Sequence, residues 1–338
     1  MTDTTSAPPL TPQRIMQFAW GYVPPLVLEA AIRHRVFDVL DGGAKTLRQL
    51  HEETHASERG LAAICNALVG LGFLVKDGDR FSLTLESATF LVSTKPSFHG
   101  GIIRHCSEQL IPKFLRLNEI VGTGKPIEAV NQEPAGGEFF HEFVNDIFPM
   151  SFPSAQTLAR HLSFAAPARV LDLAAGSGVW GIALAQASPQ VIVTAVDWPE
   201  VIPVTQKTVA RFGLAERFSF IEGDLLTADF GSGHTVATLG HILHSEGPVR
   251  SRKLLSKVFH ALAPGGTISI AEFLVNSDRT GPPVSLLFAV NMLVNTDEGD
   301  TFSFEEISAW LTEAGFTDVR QLDAPGPSPL ILATKPRA

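Results

Sequence analysis

Cysteine is nearly absent from this 338-residue chain: only Cys65 and Cys106 are present. They lie far apart, with no CxxC pair and no His/Cys cluster at metal-ligand spacing, so a disulfide framework and a cysteine-built metal centre are both excluded. Positive charge is scarce too. Against 35 Asp and Glu stand 26 Lys and Arg, a net charge of −9, which suits a phosphate backbone poorly. No uninterrupted apolar run approaches the ~20 residues that span a bilayer. Met1–Leu10 is polar and proline-containing, without the basic-then-apolar order of a secretory signal. No internal repeat or low-complexity tract occurs. The expectation is a soluble, cytoplasmic protein with no nucleic-acid partner, no membrane segment and no metal.

What is present is a large apolar content: 45% of residues are hydrophobic and 18% charged. A chain of this length suggests two domains at roughly 100–200 residues each. Residues 1–12 read as a flexible tail. From Gln13 to Leu40 apolar residues recur at helical spacing, with Pro24-Pro25 breaking them into two helices. Thr46 and Ser57 are N-caps for helices Leu47–Glu53 and Glu58–Leu71. Phe73-Leu74-Val75 and Arg80-Phe81-Ser82-Leu83 then flank a Lys76-Asp77-Gly78-Asp79 turn. Three helices followed by a two-stranded wing make a winged-helix pattern, assigned to 13–97. Segment 98–163 reads as a helical connector.

From Arg169 the rhythm changes to strand–helix alternation. Strands are predicted at 169–173, 191–196, 217–222, 235–240, 267–274, 318–323 and 329–335, with helices between the first five. This gives an α/β fold for 164–338: a doubly wound, mainly parallel seven-stranded sheet. The last two strands, joined by Pro325-Gly326-Pro327, form an antiparallel hairpin.

Arg169-Val170-Leu171-Asp172-Leu173-Ala174-Ala175-Gly176-Ser177-Gly178-Val179-Trp180-Gly181 is an apolar strand, a glycine turn and a helix start. Gly176, Gly178 and Gly181 also satisfy GxGxxG, so the loop alone fits NAD, FAD or S-adenosylmethionine. Three carboxylates break the tie. Asp172 sits under the loop, where it would repel a pyrophosphate and favour a sulfonium with an ammonium group. Asp197 ends Val193-Thr194-Ala195-Val196 and can accept both ribose hydroxyls. Asp224, in Glu222-Gly223-Asp224-Leu225, can accept an adenine amino group, with Leu225 packing on the ring. Each acid alone reads more readily as a solvated turn residue; their recurrence after consecutive strands carries the argument.

With those motifs in place, the chain resembles the class I S-adenosylmethionine-dependent methyltransferases. Within them it resembles the small-molecule O-methyltransferases typified by plant caffeate and bacterial phenazine and hydroxyneurosporene enzymes. The resemblance runs from about Gln13 to Lys335. It includes Leu28–Leu91 as a winged-helix dimerisation module, Val196-Asp197-Trp198-Pro199-Glu200-Val201, Ala263-Pro264-Gly265-Gly266 and Glu313-Ala314-Gly315-Phe316. It implies S-adenosyl-L-methionine as cofactor, S-adenosyl-L-homocysteine as product, a homodimer and a small-molecule acceptor. Cofactor contacts are expected from Asp172, Ala174, Gly176, Gly178, Asp197, Trp198, Gly223, Asp224, Leu225, Gly240 and His241. Two departures stand out: Ala174 and Ala175 occupy places where the family often has glycine, and Gly240 replaces a frequent lysine.

The resemblance further implies a base. His244, in Leu239-Gly240-His241-Ile242-Leu243-His244-Ser245-Glu246, matches the family's catalytic histidine, although the aspartate and tryptophan that usually follow are Ser245 and Glu246. Glu272, in Ile270-Ala271-Glu272-Phe273, matches the acid that orients it; such a carboxylate fixes the tautomer and frees the other ring nitrogen. Where a second orienting glutamate is frequent, this chain has Thr301 beside Asp300. Acceptor-pocket candidates are Phe143, Phe148, Phe152, Phe288, Asn291, Met292 and Asn295, of which the last four share a helical face. Ordinary core packing is the plain alternative for each. The reading is methyl transfer to a hydroxyl of an aromatic or polyketide-like molecule. N-, S- or C-methylation, a non-methylating relative that keeps the cofactor, a winged-helix DNA-binding regulator and an NAD(P)-dependent oxidoreductase are the alternatives.

Overall fold

The computed structural model describes residues 10–132, 135–162, 164, 167–326 and 328–337. Most of the expected tail, and Pro327 of the predicted hairpin loop, lie outside the described residues. The chain divides into two compact units, Met1–Glu108 and Gln109–Ala338.

In the first unit the caps act as the sequence implies. Thr46 accepts the Gln49 N–H while the Gln49 side chain accepts the Thr46 N–H, starting helix Leu47–Thr54; two orphan donors are thereby satisfied reciprocally. Ser57 caps Glu58–Gly70. Leu74–Asp77 pairs antiparallel with Arg80–Leu83. Lys45–Thr46 adds a third short strand that the sequence did not signal. Phe37, Leu40, Leu50, Leu61, Leu68 and Phe81 fill the core. Pro24 and Pro25 sit in the first turn of helix Val23–Arg33, where a missing N–H costs no helical bond. Helix Gln13–Ala19 buries none of its residues, and Ile15 and Phe18 are 72% and 74% exposed. Among the described residues, Gln13–Arg33 is the one stretch long and apolar enough to cross a membrane by length and composition. Arg14, Glu29 and Arg33 keep it from being an uninterrupted apolar run.

The second unit holds the doubly wound sheet. Its strands are β1 (Ala168–Leu173), β2 (Val191–Asp197), β3 (Phe218–Glu222), β4 (His234–Gly240), β5 (Leu262–Ala271), β6 (Thr317–Leu322) and β7 (Leu330–Thr334), in spatial order β3-β2-β1-β4-β5-β7-β6. The first five are mutually parallel; β7 runs antiparallel between β5 and β6. The helices are α1 (Ile111–Phe114), α2 (Leu117–Thr123), α3 (Ala135–Phe143), α4 (Phe148–His161), α5 (Val179–Ala187), α6 (Ile202–Arg211), α7 (Leu243–Ala261), α8 (Pro283–Asn295) and α9 (Phe304–Glu313). Alternation along β1 sends Leu171 and Leu173 to one face, with Leu254 and Val258 of α7, and Val170 to the other, with Ile182 of α5 and Leu158 of α4. Both faces are covered, which is why these strands read as nearly continuous apolar runs.

One expectation fails. Between β3 and β4 there is no helix: residues 223–233 form turns, with Gly223, Gly231 and Gly233 all at positive φ. Three such glycines in a short connection break helix continuity. Strand order reverses on either side of the β1/β4 pair, and ligands of such sheets bind at the carboxyl ends of the strands there.

Candidate active site

The turn after β1 is built on left-handed backbone. Ala174, Gly176 and Gly178 have φ of 50°, 54° and 78°. Two carboxylates and a hydroxyl hold it. Asp197, at the end of β2, accepts the Gly176 N–H at 2.7 Å and the Trp198 N–H at 2.8 Å. Asp172 accepts the Gly181 N–H at 2.9 Å and the Thr238 hydroxyl at 2.7 Å. Thr205 donates its hydroxyl to the Gly176 carbonyl at 2.6 Å. A β-carbon at 181 would press on Val193 and on Asp172 itself, so glycine there lets helix and strand close up.

Asp172 is 0% exposed and both its oxygens are occupied. This revises the expected direct cofactor contact: Asp172 braces the turn and acts on a ligand only through its field. Burial pushes its carboxyl up to about 7, opposed by the Thr238 and Gly181 bonds and assisted by the nearby Asp197. Asp197 keeps part of its surface open, yet the loss of water around it raises its carboxyl to about 6 against the Gly176 and Trp198 bonds. Two acids that ionise reluctantly at neighbouring strand ends form a site that gains from a cation.

Asp224 lies at the next strand tip, and the Gly223 N–H donates to the Asp197 carbonyl. Its carboxylate is not free: Arg250 reaches it at 2.5 Å and also holds Glu246 at 2.6 Å. Leu225 is buried in the main core, while its carbonyl accepts a bond from Lys257. Trp198 stands beside Phe140, ring centroids 5.9 Å apart. Gly240 abuts the indole of Trp180, which fills the room a side chain at 240 would need.

Across the β1/β4 pair lies the histidine cluster. His244 begins α7 and is 8% exposed. Glu272, just beyond β5, takes both its ring Nδ1, at 2.7 Å, and its backbone N–H, at 3.2 Å. Nδ1 therefore carries the proton and Nε2 is left to accept. Burial pushes the Glu272 carboxyl up, but the charge and hydrogen bonds of His244, with help from His241, outweigh it and hold the acid below its ordinary value. Phe288 on α8 meets the imidazole edge to face, centroids 4.9 Å apart at 87°, and Phe273 lies against Phe288 at 4.2 Å, tilted by 31°. His241, at φ 63°, points to the Ser328 hydroxyl at 2.9 Å. Burial lowers its pKa to about 4, with Glu272 opposing and His244 assisting. It is a neutral side chain packed between the sheet end and the β6–β7 loop.

Asp300 and Thr301 do not supply a second carboxylate to the imidazole. The Asp300 backbone N–H donates to the His244 carbonyl at 2.9 Å, and its side chain accepts the Thr301 N–H. Among the described residues, Glu272 alone bonds the ring. Instead, orphaned polar atoms gather around the loop that holds His244. Asn131 donates to the Ser245 carbonyl. Asn295, 2% exposed, donates to Asn291. The Oδ1 atoms of Asn131 and Asn295, and Oγ1 of Thr301, are buried without a hydrogen-bond partner.

The aromatic candidates separate. Phe288 with Asn291, Met292 and Asn295 belongs to α8 beside the base. Phe143 joins Phe139 and Phe140 on α3, which lead to Trp198. Phe148 and Phe152 do not belong here. Phe148 stacks on Phe212 at 5.4 Å, and Phe152 packs against it at 6.2 Å, tilted by 34°. Phe212 closes the far end of α6, which starts at the carboxyl edge of β2 and runs back toward the amino edge. Those two rings are core. Periodicity showed that they were buried but not at which end of the sheet. Trp180, Thr205, Thr238, Arg250 and Ser328 went unnoticed in the sequence because each acts through a partner far along the chain.

The model of the O-methyltransferase domain matches residues 111–317, and that of the O-methyltransferase dimerisation domain matches residues 16–93. The chain belongs to the O-methyltransferase family. It is 30% identical, over 96% of its length and 97% of the relative's, to the tetracenomycin polyketide synthesis 8-O-methyl transferase TcmO of Streptomyces glaucescens. A 3-hydroxy-5-methyl-1-naphthoate 3-O-methyltransferase of Streptomyces sahachiroi is 28% identical over 96% and 95% of the two chains. A putative O-methyltransferase structure from Nostoc punctiforme superposes with a TM-score of 0.89 at 29% identity, covering 98% and 100%. PigF, solved with S-adenosylhomocysteine, gives 0.83 at 25%, covering 96% and 100%. The protein is thus an S-adenosylmethionine-dependent O-methyltransferase with a dimerisation domain.

The cradle found here fits that cofactor. Asp197 keeps part of its carboxylate open beside its two backbone bonds and would hold the ribose hydroxyls, and the paired acids Asp172 and Asp197 suit a sulfonium better than a phosphate. The cofactor supplies an electrophilic methyl group on that sulfonium; the chain supplies orientation and proton removal.

Proposed function

We propose that this methyltransferase methylates a hydroxyl on a flat, largely apolar acceptor of the aromatic polyketide type, with His244 as general base. The single observation that carries the reading is the two-point hold of Glu272 on His244. A carboxylate that takes both ring Nδ1 and backbone N–H fixes tautomer and orientation together, leaving Nε2 ready for the acceptor proton. A phenol, with a pKa near ~10, loses that proton only as the methyl carbon approaches, so base and transfer act in one step. Glu272 then faces an imidazolium and stabilises it. Phe288 supplies an aromatic wall against the base. The orphaned Oδ1 atoms of Asn131 and Asn295 and Oγ1 of Thr301 suit further hydroxyl groups on the same acceptor. TcmO, named for tetracenomycin polyketide synthesis, and the second relative, named for a hydroxynaphthoate, support this class.

The apolar faces of Gln13–Ala19 and Val23–Arg33 then serve a homodimer, as the dimerisation-domain match supports. The deciding experiment is an acceptor screen with radiolabelled cofactor on hydroxynaphthalenes, aromatic amines and thiols, run on wild type and His244→Ala. Hydroxyl products that fall by about 10²–10⁴ in the variant, with cofactor affinity retained, are expected. Methylation confined to amines or thiols, or unchanged by the variant, would refute it.

A further inference from the structure

A second cation-bearing feature lies outside the acid–base pair. Lys113 stands on the short α1, whose residues pack against α8, the helix that carries Phe288 and the two asparagines. Its Nζ is buried and has no hydrogen-bond partner among the described residues. The ammonium lies 5.2 Å from the ring centroid of Phe139, and the Phe139 carbonyl accepts the Gln109 amide at 3.3 Å. Lys113 therefore occupies the meeting point of α1, α3 and α8. From Phe139 the rings of Phe143 and Phe140 continue to Trp198, next to the ribose carboxylate Asp197. From α8 the wall continues to Phe288 and His244. Lys113 is thus linked through Phe139 to the rings that reach Trp198, and through the packing of α1 on α8 to the helix that carries Phe288.

An ammonium removed from water without an acceptor is costly, and a ring face compensates it only in part. Burial lowers the Lys113 pKa; Glu128, an exposed acid, opposes this by its charge and makes no bond to it. Nothing in the packing of α1 requires a lysine there, since methionine would fill the same length with no such penalty. A buried, unpaired ammonium beside an aromatic wall has the chemistry of an anion receptor waiting for its anion.

We propose that Lys113 recognises a carboxylate carried by the aromatic acceptor, and so sets the enzyme's preference for hydroxylated aromatic acids over neutral phenols. The inference rests on the hydroxyl-methylation reading only for the ring to which the carboxylate is attached. One charge-assisted bond in a site sheltered from water discriminates by about tenfold or more.

The test is a binding measurement on the full chain saturated with S-adenosylhomocysteine. The probes are 3-hydroxy-1-naphthoate and 2-naphthol, which differ only by the carboxylate. Wild type is expected to bind the acid at least ~10-fold more tightly. Lys113→Met should bring the two affinities together while leaving S-adenosylhomocysteine affinity unchanged and the apo melting temperature equal or higher. Lys113→Arg should keep part of the preference, and Lys113→Gln should lose it as methionine does. No preference for the acid in wild type, failure to bind it included, overturns the proposal; so does a preference that survives Lys113→Met. Methylation is followed separately. If 2-naphthol is methylated without any acid preference, the lysine's role fails and hydroxyl transfer stands. If the preference depends on Lys113 but no hydroxyl is methylated, the reverse holds.

Discussion

The indole of Trp180 rests against the α-carbon of Gly240, in space that any side chain at 240 would have to share. The two residues come from different strand ends, the start of α5 and the tip of β4, so the contact ties the helix after the glycine turn to the neighbouring strand. A position where related enzymes often place lysine is here an aromatic plate on a bare backbone. Gly240→Ala is expected to cost about 1–3 kcal/mol by overpacking and to weaken cofactor binding. Trp180→Ala alone leaves a cavity. Combined, the two changes should cost less than their sum, because each relieves the other. Thermal melts of the four proteins, with and without S-adenosylhomocysteine, measure the coupling; strict additivity would separate the two residues.

The raised carboxyls of Asp172 and Asp197 make both stability and affinity depend on pH. Their folded values of about 7 and about 6 lie above the ordinary aspartate value near ~3.9. The fold thus favours their protonated forms, so the stability they contribute is present below pH 4 and is lost as pH rises through 6 to 7. Cofactor binding has the opposite sign. Ribose hydroxyls and a sulfonium both prefer the ionised acids, so affinity should climb as pH rises from 5 to about 8 and level off above. Calorimetry in buffers of different ionisation enthalpy should show protons released on binding near pH 6. Proton uptake there, or affinity flat from 5 to 7.5, would contradict this assignment.

Glu272→Gln separates orientation from charge. The amide can donate to Nδ1 as well as accept from it, which lets the proton sit on Nε2 and blocks the base. Turnover of a phenolic acceptor is expected to drop by about 10²-fold or more, with S-adenosylhomocysteine affinity nearly unchanged because Glu272 makes no contact with the glycine turn. A more acidic acceptor, already ionised at the assay pH, should lose far less. Equal losses for both acceptors would assign Glu272 to folding.

Much of this site was legible from the chain because parallel strands announce their ends. An apolar run that stops at a carboxylate, as in Val193–Asp197 or Ile268–Glu272, marks the carboxyl edge where ligands bind, and His244 and Glu272 meet because β4 and β5 are neighbours. What stayed hidden depends on the third dimension. Nothing local separates Phe148 and Phe152, which pack against Phe212, from Phe288, which faces the base. Asp172 reads as an open ligand until Thr238 and Gly181 are seen to occupy it. Nothing local marks Lys113, because its ring contact comes from Phe139 on α3, distant in sequence.

Ala174 holds a backbone conformation that its β-carbon disfavours. The residue before the Ala175-Gly176 turn has φ 50°, a conformation that costs an L-residue with a β-carbon about 1–2 kcal/mol and glycine almost nothing. Ala174→Gly removes that strain but gives the unfolded chain more freedom, an opposing effect of about 0.4–1 kcal/mol. The net expectation is a small gain in apo stability. The turn is already pinned by Asp197 and Thr205, so cofactor affinity should change by less than about threefold, under ~0.7 kcal/mol. A fall in apo melting temperature would mean that the methyl's packing against the main core outweighs its backbone cost, and a large loss of cofactor affinity would mean that the methyl itself packs on the bound nucleoside.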